Sequence, residues 1–180
     1  MTSTTSELLF SEKQHLANLL EAIQRCVYFL DASQKGIEWP LTESVLDLRK
    51  KDNDLFEALS AINERFAKLQ DSLGSAMRHS IVFSGEQADS FIKVLAIFEK
   101  NQVIHSVEEW QVARTARNLA AHDYEISYSD VADHFNTLHS LTHILYQIAR
   151  RFIAYCEQEL GICPRSPDFS EEFYLITVTE

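Results

Sequence analysis

One run of apolar residues constrains the fold of this chain more than any other feature of its sequence. Between residues 55 and 73, apolar positions alternate steps of four and three: Leu55, Leu59, Ile62, Phe66, Leu69 and Leu73. This spacing places all six on one stripe of an α-helix, and such a stripe needs a partner helix to cover it. The run is too short for an extended coiled coil, so it predicts packing inside a helical bundle.

Helical spacing and capping residues predict further helices along the chain. The predicted helices lie at about 11–30, from 55 to a fading end between Gly74 and Arg78, within 87–100, at about 106–124 and at about 127–160. Only 4 Gly and 3 Pro occur in 180 residues, which leaves little room for a turn-rich all-β fold. The sequence therefore predicts an all-α fold, an up-and-down bundle of four long helices plus a short helix.

The domain organisation predicted from the sequence is one helical bundle, residues 1–160, followed by a tail, residues 161–180. Gly161 suits a helix C-terminal cap, and Pro164 and Pro167 prevent the helix from continuing. The tail segment EEFYLITVTE alternates apolar and polar residues as a strand does. Because no second strand is predicted, we expect the tail to be an extended arm that packs on a neighbouring surface.

The composition excludes several classes of protein. The chain contains no run of about 18 apolar residues and no signal-peptide pattern, so we expect a soluble, cytoplasmic protein without membrane contact. Three widely spaced cysteines predict neither a disulfide framework nor a zinc site. His139 and His143 have a metal-compatible spacing but lack the acidic residue of an HExxH motif, and no Gly-rich phosphate loop occurs. We therefore expect no metal site and no cofactor.

The formal net charge of −11 restricts how this chain could bind nucleic acid. A protein that coats nucleic acid regardless of sequence carries a broad basic surface, and this chain cannot provide one. An enzyme that takes RNA into a small, locally basic cleft remains compatible with the charge.

The candidate catalytic residues lie in the segment RTARNLAAHDY, residues 114–124. Arg117 and Tyr124 are seven residues apart and Asn118 and His122 four apart, so each pair shares one side of a helix. Arg117 and His122, five apart, lie about 140° from each other on an ideal helix. Either a second copy of the chain completes a shared site, or the helix deforms near His122. Spacing alone also fits an ordinary role, because Arg and His near a helix C-terminus complement its dipole.

The segment RNLAAHDY resembles the motif of HEPN domains: arginine, a polar residue, three more residues, histidine, any residue and tyrosine. The segment RFAKLQDSLG is similar to the second-helix sequence of that family, and the resemblance covers about residues 8–160. The resemblance implies a HEPN-like bundle and a metal-independent endoribonuclease, often the toxin of a toxin–antitoxin pair, that acts as a homodimer on RNA. It also implies a partner, a minimal nucleotidyltransferase that silences the toxin by adding AMP to the motif tyrosine.

Carried over by position, the resemblance makes Arg117 and His122 catalytic, Asn118 a residue that orients them, and Tyr124 the modified hydroxyl. Arg114, one turn before Arg117, adds positive charge beside the site. These residue types suit RNA cleavage, because histidine can transfer protons near neutral pH and a guanidinium binds phosphate oxygens. Two alternatives stay open: a non-catalytic binding subunit of a two-component nucleotidyltransferase, and a helical scaffold without chemistry.

Overall fold

A computed structural model describes residues 2–87, 89–119 and 127–178 of the chain, and for residues 2–6, 118 and 119 it describes the backbone alone. The helices in this part of the chain are α1 (Thr2–Lys35), α2 (Glu43–Leu48), α3 (Asn53–Phe83), α4 (Phe91–Lys100), α5 (Val107–Leu119), α6 (Tyr128–Glu159) and α7 (Ser170–Val178). No strand occurs in the described residues. The prediction of an all-α fold is confirmed.

The long helices α1 and α3 form the largest interface of the described chain. All six apolar positions of the predicted seam on α3 are buried. On α1 the fully buried positions include Leu16, Leu20, Ile23, Val27 and Leu30. Each fully buried side chain of this size contributes about 2 kcal/mol of hydrophobic free energy, so this pair of stripes organises the core on which the other helices pack.

The predicted ends of the first two long helices were wrong. Helix α1 begins at Thr2 and ends at Lys35, and α3 continues past Gly74 to Phe83. The buried stripe of α3 extends through Ala76, Met77 and Ile81. Burial of these side chains outweighs the cost of about 1 kcal/mol that a glycine imposes inside a helix.

Capping residues mark the starts of α5 and α6 and the end of α6. The hydroxyl of Ser106 accepts a hydrogen bond from the backbone N–H of Glu109 at 3.0 Å, which confirms the predicted start of α5. Ser127 does the same for α6, since its hydroxyl accepts from Asp130 N at 3.2 Å. Helix α6 ends at Glu159, and Gly161 follows with φ +63°, as a C-terminal glycine cap requires.

The tail does not adopt the extended conformation that its alternating pattern predicts. Residues 170–178 form helix α7, which packs on α1 and α6. Phe173 is fully buried, and Thr177, one turn later, is buried with it. A lone strand would leave its backbone N–H and C=O groups without partners, whereas a helix pairs them internally. The prediction of an extended arm from the alternating pattern was therefore wrong.

No described helix combines the length and the apolar character that a bilayer crossing requires.

Candidate functional site

Helix α5 is held in place by a narrow apolar stripe. Trp110, Ala113 and Ala116 are buried, and the Gln70 side chain on α3 donates a hydrogen bond to the Trp110 carbonyl at 3.1 Å. Val112, four residues before the buried Ala116, is nevertheless 50% exposed. The buried stripe thus runs through Trp110, Ala113 and Ala116, and its small alanines let α5 approach its neighbours closely.

Arg117 lies in the last turn of α5 and contacts α3. Its Nη1 donates to Asp71 Oδ1 at 2.6 Å and to the Ala67 carbonyl at 3.3 Å. The Arg117 side chain is 19% exposed, whereas that of Asp71 is 62% exposed. Two acceptors on one helix therefore orient a guanidinium at the place where α5 meets α3.

A groove of about 630 Å³ opens beside Arg117, between α1, α3, α4 and α5. Its cationic and imidazole side chains are Arg78, Arg114, Arg117, His15 and His79. Among the described residues that line it, Asp71 is the only carboxylate. Apolar atoms form much of the remaining lining, from Leu19, Gly74, Val82, Phe91 and Trp110. A chain with net charge −11 therefore contains a locally basic groove, which we call the basic groove.

The end of the basic groove where α1 packs on α3 carries a pair of histidines. The rings of His15 on α1 and His79 on α3 meet edge to face, with centroids 4.7 Å apart. His79 Nε2 lies 3.1 Å from the Glu12 carbonyl and 3.2 Å from its Oε2. The guanidinium carbon of Arg78 lies 5.4 Å from the centroid of the Phe91 ring. This end of the groove is thus built by α1, α3 and α4 together.

The site predicted from the sequence did not include His15, Arg78 or His79. The spacing of residues on α3 could have indicated the groove. Residues three and four apart on this helix line it: Asp71, Gly74, Ser75, Arg78, His79 and Val82. This mostly polar stripe runs beside the apolar seam. The pairing with His15 depends on the packing of α1 against α3, which a single sequence does not reveal.

The structure brings together part of the predicted site. Arg114 and Arg117 both line the basic groove. Asn118 lies in the last turn of α5, where the structure describes its backbone alone. His122 and Tyr124 lie outside the described residues.

The other histidines that the sequence singled out have structural contacts. His139 stacks on Trp39, with ring centroids 4.2 Å apart and planes 5° apart, and its Nδ1 lies 3.1 Å from Gln34 Oε1. Burial lowers the pKa of His139 below its ordinary value. The His143 ring contacts the Ser140 carbonyl. Within the described part of the chain, no group of three His, Cys, Asp or Glu residues could hold a metal ion.

Two of the three cysteine thiols are poor nucleophiles. Burial raises the pKa of Cys156 to about 12 and raises that of Cys26 as well. A thiol rather than a thiolate is then the dominant form near neutral pH. Cysteine chemistry at these two positions is disfavoured.

Comparisons of the chain with protein-family models, with curated proteins and with solved structures give no match. Function is therefore inferred from the motif residues and from the chemistry of the basic groove.

Proposed function

We propose that this chain is a metal-independent endoribonuclease of HEPN type, the cytoplasmic toxin of a toxin–antitoxin pair, active as a homodimer. In this proposal α1, α3, α5 and α6 are the four long helices of an up-and-down HEPN-like bundle. The observation that carries the proposal is the position of Arg117. The motif arginine lies in a groove whose described lining holds three arginines against one carboxylate, and a polyanion is best accommodated at such a place on an acidic protein.

The proposed reaction uses the nucleophile that RNA itself contains. The 2′-OH attacks the adjacent phosphorus while a histidine removes its proton, and the bond from phosphorus to the 5′-oxygen breaks as a second histidine protonates that oxygen. The products are a 2′,3′-cyclic phosphate and a 5′-hydroxyl. The Arg117 guanidinium stabilises the charge on the phosphorane oxygens, because it stays protonated throughout.

The two proton-transfer groups are assigned to His122 of each copy in the dimer. His15 and His79 do not suit this role as a pair, because rings in edge contact at 4.7 Å leave no room for a phosphate between them. Two copies related by a two-fold axis supply one imidazole as the base and the other as the acid. Arg114 supports the site by adding a second guanidinium, and Asn118 by orienting its neighbours.

The proposed partner is a minimal nucleotidyltransferase. It silences the toxin when the Tyr124 hydroxyl attacks the α-phosphorus of ATP, so that AMP is attached to the tyrosine and pyrophosphate leaves. A bulky, negatively charged adduct two residues from His122 would block the approach of RNA.

The first test is cleavage of labelled single-stranded RNA in the presence of EDTA, with Tyr124 verified as unmodified by mass spectrometry. We expect wild-type protein to cut, and His122→Ala to lower the rate by roughly 10²–10⁴ because a proton-transfer group is lost. His105→Ala, at an exposed position on the loop before α5, is the matched control and should cut at the wild-type rate. Circular dichroism and size-exclusion chromatography would verify that each variant folds and dimerises.

RNA left equally intact by wild type and by His122→Ala, at matched dimer concentration, would overturn the enzyme proposal. Cleavage by wild type that EDTA abolishes would overturn its metal-independent character.

A second candidate function is a non-catalytic partner-binding subunit of a two-component nucleotidyltransferase. The observation that favours it is the run Leu8, Leu9 and Phe10 on α1, whose residues are 54–65% exposed, on a protein with net charge −11. Adjacent exposed apolar side chains are typical of a protein interface. This function predicts stable co-purification with a small nucleotidyltransferase and no RNA cleavage by either protein, alone or together.

A further inference from the structure

We propose that one face of α3 binds the single-stranded RNA that flanks the cut, with Arg78 as the main phosphate contact remote from the reacting bond. This face, which we call the α3 track, consists of the groove-lining positions of α3 between Asp71 and Val82. The inference rests on the proposed function and deepens it, since it assigns to the basic groove a substrate subsite outside the motif.

The length of the α3 track suits a polynucleotide better than a single phosphate. From Asp71, where Arg117 is anchored, to Arg78 is seven residues, or about 10 Å along a helix. One strand of a nucleic acid carries a phosphate about every 3.4 Å of helix axis. Arg117 and Arg78 therefore lie far enough apart to contact different phosphates of one strand.

The position of Arg78 suits a phosphate contact. Its guanidinium lies over the Phe91 ring at 5.4 Å, although the residue as a whole is exposed. Stacking uses the face of a guanidinium and leaves its N–H edge to meet an oxyanion. A side chain held on a ring also loses less conformational freedom on binding than a mobile one.

Two carboxylates beside the α3 track already have partners. Asp71 faces Arg117 at 2.6 Å, and Glu12 faces His79 at 3.2 Å. Arg78 lies seven residues after Asp71 and directly before His79 on α3, and it adds a positive charge to the track. Because the contacts expected here are to phosphates, binding should depend strongly on salt and little on base sequence.

The test measures binding separately from cleavage. The probe is a fluorescent RNA of about twelve nucleotides with 2′-O-methyl groups, which cannot be cut because its nucleophile is blocked. The variant is Arg78→Gln in the full chain. Arg25→Gln is the matched control, since Arg25 is an arginine of α1 with a 51% exposed side chain, paired with Glu21 and outside the groove lining.

We expect Arg78→Gln to weaken binding roughly five- to tenfold at low salt and to reduce the slope of log Kd against log salt by about 0.7, as loss of one phosphate contact to a single strand predicts. Arg25→Gln should bind like wild type. At RNA concentrations below the Kd, Arg78→Gln should cut unmodified RNA more slowly, by about the same factor as its binding weakens, whereas Arg25→Gln should cut at the wild-type rate.

Equal binding by the two variants, or a wild-type protein that fails to bind the probe at low salt, would overturn the α3 track. Failure of the α3 track is distinguishable from failure of the nuclease proposal. Wild-type protein that binds the probe through Arg78 but never cuts RNA would support the α3 track and overturn the nuclease proposal. Wild-type protein that cuts RNA, with unchanged probe binding in Arg78→Gln, would support the nuclease proposal and overturn the α3 track.

Discussion

Arg117 and Asp71 form an ion pair whose two members differ in their surroundings. The Arg117 side chain is mostly buried, while the Asp71 side chain is largely exposed. A phosphate that enters the basic groove therefore meets the charge of Asp71 as it approaches Arg117. At this position the carboxylate holds the arginine in place and also opposes an anionic ligand.

Replacing Asp71 by Asn should tighten binding of the uncleavable RNA probe. An exposed ion pair contributes about 0.2–1 kcal/mol, so its removal should lower the Kd by at most about fivefold at low salt. Asp47→Asn is a close control, because Asp47 on α2 has the same 62% side-chain exposure and an ion pair of its own with Lys50. Fluorescence anisotropy measures the Kd of the probe for each variant. Weaker binding in Asp71→Asn would instead indicate that the carboxylate positions Arg117 for the phosphate.

Individual site residues were predictable to different degrees. Arg114 and Arg117 were expected on one polar side of a helix, and both line the basic groove, because helical spacing alone determines their common side. Arg78 and His79 could have been found from the polar stripe of α3. The contact between His15 and His79 joins residues far apart in sequence, so it follows only from the packing of two helices.

At the scale of helices, periodicity predicted where α3 and α6 occur but not where all of them end. The caps at Ser106 and Ser127 marked the starts of α5 and α6, because a hydroxyl that satisfies a free N–H is a local feature. The end of α3 depends on burial of Met77 and Ile81 against other helices, which is not local. Helix α7 was missed because its short alternating pattern fits a strand as well as a helix.

Phe173→Ala tests whether α7 belongs to the folded unit. Phe173 is fully buried where α7 meets the rest of the molecule, so its truncation should lower the free energy of unfolding by about 3–5 kcal/mol. Val178→Ala on the same helix, at a side chain that is 55% exposed, should change it far less. Urea denaturation followed by circular dichroism gives both values. A loss in Phe173→Ala no greater than in the control would show that residues 161–180 are a separable tail, as the sequence predicted.

At the scale of the whole molecule, charge is distributed unevenly. The net charge of the chain is −11, yet the basic groove gathers three arginines beside one carboxylate among its described lining residues. Such an arrangement favours selective capture over coating, because only a strand that reaches the groove gains favourable contacts. The acidity that argues against a general nucleic-acid coat therefore does not argue against this site.

The stability of the whole chain should depend on pH through two partly buried histidines. Burial lowers the pKa of His134 and of His139 from the ordinary value of 6.5. Because the unfolded chain then binds protons more readily than the folded one, the stabilisation is complete above about pH 6.5 and is lost as the pH falls through the folded-state pKa values. The free energy of unfolding should therefore decrease between pH 7.5 and about pH 5.

His139→Gln should make that decrease smaller, whatever its effect on stability at pH 7.5. Urea denaturation at the two pH values measures the difference, and His105→Gln controls for the removal of an imidazole from an exposed position. An unchanged decrease in His139→Gln would show that this ring does not contribute to the acid sensitivity.

Gly74 sets the depth of the basic groove. A Cβ atom at this position would lie 3.2 Å from Cζ of Phe91 and 3.6 Å from Cζ2 of Trp110. Alanine is the better helix former by about 1 kcal/mol, but the Phe91 ring would have to shift to admit its methyl group. The added methyl group would press on the ring that carries Arg78. The phosphate contact proposed for Arg78 therefore depends on the absence of a side chain at position 74.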